Sequence, residues 1–244
     1  MSRETIDVGR VVAVNVYPVK SMAGQSLDCA KLGWQGLAGD RQFAFQCLDD
    51  ASGLPWLSGR TYPQLLAYKA FIDGDPRKGV VRVTTPTGAF LPVDAPSLLD
   101  ELMAGSGRPL RLTQLWRGAY DAAPLSLVTT ASIAAVEAMV GRALEPERFR
   151  ANIVVEALDG KTFPEDRWIG ESLIIGDSAE APRMRINRKD PRCRIVNISP
   201  ATGQEDPSVL QEIVQQRKNN IGVYASPEFG GVVRKGDIVR ILRK

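Results

Sequence analysis

There is no histidine anywhere in the 244 residues. Its absence removes Ser-His and Cys-His nucleophile pairs and every His-ligated metal site. Cysteine is nearly as scarce: Cys29, Cys47 and Cys193 are the full set, and no two have CxxC spacing. Three thiols cannot build a four-cysteine zinc or iron–sulfur centre within one chain. Aromatic residues make up 7%, without the basic–aromatic interleaving that stacks nucleic-acid bases, so no nucleic-acid partner is expected. Long apolar runs are missing too. Val11–Val19 is too short to span a bilayer and reads as a strand. No secretory signal pattern stands at the N-terminus, so a cytoplasmic location without membrane association is expected. Redox or nucleophilic work must fall to Cys, Lys, Arg, Asp, Glu, Ser or Tyr.

What is present is an ordinary globular composition, 44% hydrophobic and 24% charged, with net charge +3. That charge is too mild to name a partner, but it is unevenly placed. Residues 183–194, RMRINRKDPRCR, hold Arg183, Arg185, Arg188, Lys189, Arg192 and Arg194 against one acid, Asp190. Such a stretch attracts an anion, or is a solvated basic loop.

β-Branched runs separated by turn residues dominate the chain. Strands are expected at Val11–Tyr17, Gln25–Leu32, Arg41–Leu48, Leu66–Ile72, Val80–Thr84 and Leu110–Trp116, with a helical patch at Pro96–Met103. Beyond Asp121-Ala-Ala-Pro124, Leu125–Val128 is followed by a helix from Thr130 to about Val140, ended by Gly141. Strands are expected at Ile153–Val155, Leu173–Ile175, Met184–Ile186, Arg194–Ile198, Ile221–Tyr224, Gly231–Val233 and Ile238–Leu242. Pro207–Arg217 reads as a helix burying Val209, Leu210, Ile213 and Val214. Many short strands with few helices predict a mostly β, α+β fold of barrel type. The softest boundary lies near residues 116–124.

Four clusters can carry chemistry. Tyr17-Pro18-Val19-Lys20-Ser21 places a cation, a hydroxyl and free backbone N–H groups at a strand end, which suits an anion; a surface lysine beside a turn is the plain alternative. Arg41, after Gly39-Asp40, can present its fork to phosphate, or be an exposed strand arginine. Arg148, Arg150 and Asn152 offer donors at a strand entrance, unless the arginines pair with Glu145 or Glu147. In Asp190-Pro191-Arg192-Cys193-Arg194, flanking arginines favour the thiolate, the form that ligates metal. Cys29 and Cys47 sit in apolar strand patterns and read as inert core residues.

Taken in order, these clusters resemble the molybdenum cofactor sulfurase C-terminal (MOSC) family, in the two-part form with an N-terminal barrel domain similar to the mitochondrial amidoxime-reducing component and its bacterial relatives. YPVKS (17–21), GDR (39–41), RFRANIVV (148–155), FPEDRW (163–168), PRCRIVNISPATG (191–203), NIGVY (220–224) and VRKGD (233–237) follow that pattern across nearly the whole chain. The resemblance implies a MOSC-type β-barrel with a smaller β-rich N-terminal domain, divided at 1–116 and 117–244 with strands shared between them. It implies a molybdenum cofactor (molybdopterin) whose metal takes Cys193 as its protein ligand. Lys20, Ser21, Arg41, Arg150 and Asn152 match positions that hold the pterin and its phosphate, and Thr130 and Ser132 match a stretch that approaches it.

The implied activity is reduction of small N-hydroxylated substrates by oxygen-atom abstraction. The chain lacks cysteines for a cluster, so electrons would come from an external ferredoxin, cytochrome or flavin reductase. Many relatives carry a second cysteine three residues before the ligand. Here that place holds Asp190, a candidate proton relay in the catalytic pair with Cys193. Without the second cysteine, a cofactor or sulfur carrier, with a persulfide or metal on Cys193, is the competing function.

Overall fold

The computed structural model describes residues 4–75, 79–115 and 122–242. The first half comprises β1 (Thr5–Val16), β2 (Gln25–Leu27), β3 (Cys29–Gly33), β4 (Gly36–Leu37), β5 (Phe43–Cys47), β6 (Lys69–Asp73), β7 (Val80–Thr84), β8 (Phe90–Pro92), α1 (Pro96–Ser106) and β9 (Leu110–Gln114). The second comprises β10 (Leu125–Thr129), α2 (Thr130–Val140), β11 (Ile153–Ala157), β12 (Ser172–Ile175), β13 (Arg183–Pro191), α3 (Ser208–Arg217), β14 (Asn220–Phe229), β15 (Gly231–Arg234) and β16 (Ile238–Leu242). The fold is α+β and mostly β, as expected.

The largest sheet runs β11-β10-β14-β13-β12-β16-β1-β2, and β1 also pairs with β11. That extra pairing joins the two ends into a barrel with β2 appended, so the strands around it present no open edge. β10 and β11 are parallel while their neighbours are antiparallel. Parallel neighbours need a crossover, and α2 supplies it. Thr129 caps that helix by accepting the Ser132 N–H, and Gly141, at φ 74°, ends it in the left-handed conformation. Gly9 of β1 lies against β11 so closely that a Cβ would stand 2.4 Å from a Val155 methyl.

Strand alternation distributes the apolar side chains. Leu125, Leu127, Ile153 and Val155 face the barrel interior with Val14, Met184 and Val223, while Val128 and Val154 face α2 and α3. Each such burial contributes about 1.5–3 kcal/mol. A separate core within residues 19–110 packs Phe45, Leu57, Leu65, Leu98 and Leu102. β1 places Val11, Val14 and Val16 in the barrel, and the segment just after it sends Val19 and Met22 into that second core. No helix among the described residues is long and apolar enough to cross a membrane.

Several expectations need correction. Arg194–Ile198 is not a strand; Arg194–Asn197 forms a single 3-10 turn. Val196 packs with Val209 and Ile213, and its N–H donates to the Cys193 carbonyl at 3.1 Å, so packing overrides β-branched propensity. Gln25–Leu32 divides into β2 and β3, which join different sheets, and β8 went unread. Val214 is 49% exposed rather than buried. Cys29 is exposed, and Cys47 alone of the two supposed core thiols is buried. Trp116 and Asp121 lie outside the described residues.

Candidate functional site: an arginine-lined cleft at Cys193

Four strand ends converge on one open cleft. The segment after β1 brings Lys20 and Ser21, and the turn before β5 brings Arg41. The entrance to β11 brings Arg148, Arg150 and Asn152, and the exit from β13 brings Asp190, Arg192 and Cys193. Ser126 and Tyr224 complete the wall. The cleft is open at its mouth and encloses about 120 Å³. Seven of the residues expected to form a site, Lys20, Ser21, Arg41, Arg150, Asn152, Asp190 and Cys193, therefore meet in space.

Three of them carry unusual backbone. Ser21 (φ 62°), Arg41 (φ 48°) and Arg150 (φ 48°) are non-glycine residues in the left-handed region. Residues hold that conformation only where their surroundings enforce it, and such positions gather at ligand sites. Hydrogen bonds do the enforcing around Arg41. Its N–H donates to the Tyr17 carbonyl at 2.7 Å, and Asp40 accepts the Tyr17 N–H at 2.8 Å while pairing with the Arg41 guanidinium. Arg41 also donates to Asn152 Oδ1 and to the Arg150 carbonyl, each at 3.2 Å. Asn152 is equally engaged: its Oδ1 accepts from Ser126 N–H at 3.1 Å, and its Nδ2 donates to the Asn15 carbonyl at 3.2 Å.

The cations around the cleft differ in how they are held. Arg192 donates to the Ile221 and Phe149 carbonyls and pairs with Asp190 at 2.8 Å, so it ties β13, β14 and the β11 entrance together. Gly222, at φ +75°, leaves room for it, since a Cβ there would lie 3.1 Å from Arg192 Nη2 and 2.6 Å from the Leu127 carbonyl. Arg148 donates to Glu145 at 2.6 Å, the structural pairing that was one of its two readings. Burial works against the Glu145 carboxylate, yet hydrogen bonds from Ser199 and Arg148 prevail and hold its pKa down to about 2. Arg194 points outward to Glu205. Neither sequence neighbour of Cys193 is therefore aimed at its sulfur.

Arg150 is the exception. Among the described residues its guanidinium has no hydrogen bond or ion pair, and its one partner is the Tyr17 ring at 4.4 Å. Burial pulls its pKa down to about 10, with Tyr17 acting against the fall, and the charge of Cys193 is among the groups that favour its cation. A half-buried guanidinium that no carboxylate pairs with is favoured when an anion completes it. Asp190, 3% exposed, has its pKa raised by burial against the opposing pull of Arg192 and a hydrogen bond from Tyr224.

Thr130 and Ser132 do not join the cleft. Thr130 is exposed over a different hollow, with Ile133 and Glu137. Ser132 is buried and donates to Glu165 Oε2 at 2.7 Å, as does Thr129. The positive end of α2 is thus already met by a protein carboxylate, which displaces any ligand from that role. The neighbouring Asp166 is structural as well, pairing with Lys189 and Arg217.

No group of three or more His, Cys, Asp or Glu among the described residues could hold a metal. Cys193 offers a single thiolate, so a metal bound there must bring most of its ligands with it. The MOSC domain model matches residues 114–240, and the MOSC N-terminal beta barrel domain model matches residues 8–120. The chain belongs to the MOSC domain family. Among curated relatives of this MOSC protein, mitochondrial amidoxime reducing component 2 of Macaca fascicularis is 35% identical over 142 residues, 52% of this chain and 40% of that one. The Homo sapiens protein of the same name is 33% identical over 169 residues, 62% and 48%. These alignments span less than half of each relative. The Bos taurus protein aligns over 97% of this chain and 84% of its own at 24% identity. The crystal structure of the YUAD protein from Bacillus subtilis shares the fold, with a TM-score of 0.54 at 13% identity over 98% of each chain.

Tyr17 and Tyr224 carry no role in the sequence reading, and Arg192 there favours the thiolate rather than bracing the backbone. Tyr17 and Tyr224 stood inside the quoted YPVKS and NIGVY motifs, which was the available signal. Nothing in the spacing reveals that Arg192 turns back to carbonyls 29 and 43 residues away.

Proposed function

We propose that this MOSC protein binds a molybdenum cofactor in the arginine-lined cleft and reduces small N-hydroxylated compounds with electrons from a separate ferredoxin, cytochrome or flavin-type donor. The observation that carries it is the half-buried guanidinium of Arg150, which no carboxylate among the described residues pairs with and which lies over the Tyr17 ring, in one cleft with a half-buried thiol that can ligate metal. The donor set fits the group: Arg150 with Lys20, Ser21 and Arg41 would hold a pterin phosphate, while Cys193 would supply a soft sulfur to a metal that brings its other ligands with it. When bound, the cofactor supplies two-electron oxygen-atom transfer. The names of the relatives, amidoxime reducing components, support N-hydroxylated substrates.

The protein's own part is to bind, orient and manage protons. Arg41, fixed by Asp40 and Asn152, sets one wall of the anion cradle. Asp190, whose pKa burial raises, would take up and release protons at its carboxyl oxygen, and the Tyr224 hydroxyl donates a hydrogen bond to that carboxyl. Loss of the substrate oxygen as water consumes protons, which this pair can deliver.

The isolated protein should contain molybdenum and pterin in equal amounts, and with an artificial one-electron donor it should reduce benzamidoxime. Cys193→Ser should stay folded, lose activity and lose most of its metal. Metal-loaded protein that leaves benzamidoxime untouched would sink the reductase. A persulfide on Cys193 in protein without molybdenum would replace it with the carrier function.

A further inference from the structure

We propose that Tyr17 is a positioning residue whose ring pre-forms the anion site, holding the guanidiniums of Arg41 and Arg150 in place before any ligand arrives. The proposal rests on the anion-binding reading of the cleft. Tyr17 is 4% exposed. Arg41 lies 5.0 Å and Arg150 4.4 Å from the centroid of its ring. Both arginines branch from left-handed backbone at φ 48°, so their chains enter the cleft from fixed, strained positions.

Two like charges on one ring repel each other, and burial disfavours both. Arg41 has Asp40, Asn152 and the Arg150 carbonyl to hold it. Among the described residues Arg150 has only the ring, and an arginine without it would carry its charge towards water. The aromatic face, attracting cations through its quadrupole, keeps Arg150 aimed into the cleft. The hydroxyl is not the working part, because its contact with the Ala151 carbonyl is a long 3.5 Å.

The test uses the full chain produced without molybdenum cofactor, titrated with inorganic phosphate by calorimetry. Wild type and Tyr17→Phe should bind alike, and Tyr17→Leu should bind about 5- to 30-fold more weakly. Undiminished binding by a folded Tyr17→Leu overturns the proposal. So does equal weakening in Tyr17→Phe, or a wild type that binds no phosphate. If Tyr17→Leu fails to fold, NMR of the unmutated protein decides: the Arg150 Nε–Hε signal should be sharp and displaced by the ring current before phosphate is added, and an averaged, undisplaced signal overturns the clamp. Phosphate binding needs no molybdenum. A chain that shows this pattern yet contains no metal when isolated sinks the proposed function and leaves the clamp standing, while metal-loaded, active protein with an indifferent Tyr17→Leu does the reverse.

Discussion

Two places in this protein are shaped to receive negative charge, and they are completed differently. At the start of α2 the helix dipole and two hydroxyls point at one spot, and Glu165, 0% exposed, fills it from the same chain. In the cleft, no carboxylate among the described residues pairs with Arg150, whose guanidinium lies over the Tyr17 ring. The first is a finished structural joint between α2 and the 3-10 turn Pro164–Trp168. On the proposed function, the second is completed by an anion from solution. A basic or helix-terminal feature therefore says little about ligands until its counter-charge has been traced.

Three substitutions can break or sharpen that contrast. The largest effect belongs to Arg192→Met, which deprives the Ile221 and Phe149 carbonyls of donors and leaves Asp190 buried without its partner. It should cost about 3–5 kcal/mol in urea denaturation. A cost below about 1 kcal/mol would show that Arg192 belongs with the open cations rather than the closed ones. Glu165→Ala comes next. Stripping the acceptor from Thr129 and Ser132 at the helix end should cost about 2–3 kcal/mol while leaving phosphate binding intact, as calorimetry would show. A loss of phosphate affinity alongside an unchanged stability would reverse the assignment of the two sites. The smallest change in stability is expected for Arg150→Met, within about 1 kcal/mol in either direction, because it removes a half-buried charge that no described carboxylate pairs with and loses only the contact with the Tyr17 ring. Its phosphate binding should nevertheless disappear.

How far this could be read from sequence depends on the kind of information. Local patterns served well: the Val80–Thr84 strand and the Thr130–Val140 helix with its Gly141 stop match the structure, because capping, left-handed termination and strand alternation act within a few residues. The ordered motifs also brought seven of the nine anticipated site residues to one cleft. What sequence could not show was which polar atoms were already engaged. Ser132 looked available until Glu165, 33 residues later, was found bonded to it. Arg192 and Arg194 looked like companions of the thiol, but one turns to backbone carbonyls and the other to Glu205. Arg150 looked no different from Arg148, although only Arg148 has a carboxylate partner. The turn at Arg194–Asn197 failed for a related reason: its β-branched residues answer to α3, which follows it in the chain.

The backbone at Ser21, Arg41 and Arg150 has a consequence for anyone seeking a hardier form of this protein. Glycine occupies the left-handed region at no steric cost, so each of these positions is one where a glycine would relieve the chain. Screens that reward heat resistance alone should drift towards glycine at Ser21 and Arg150, erasing a hydroxyl or a positive charge from the cleft, whereas Arg41 is kept by its pairing with the buried Asp40. Durability and charge in the cleft are set against each other at two of the three residues.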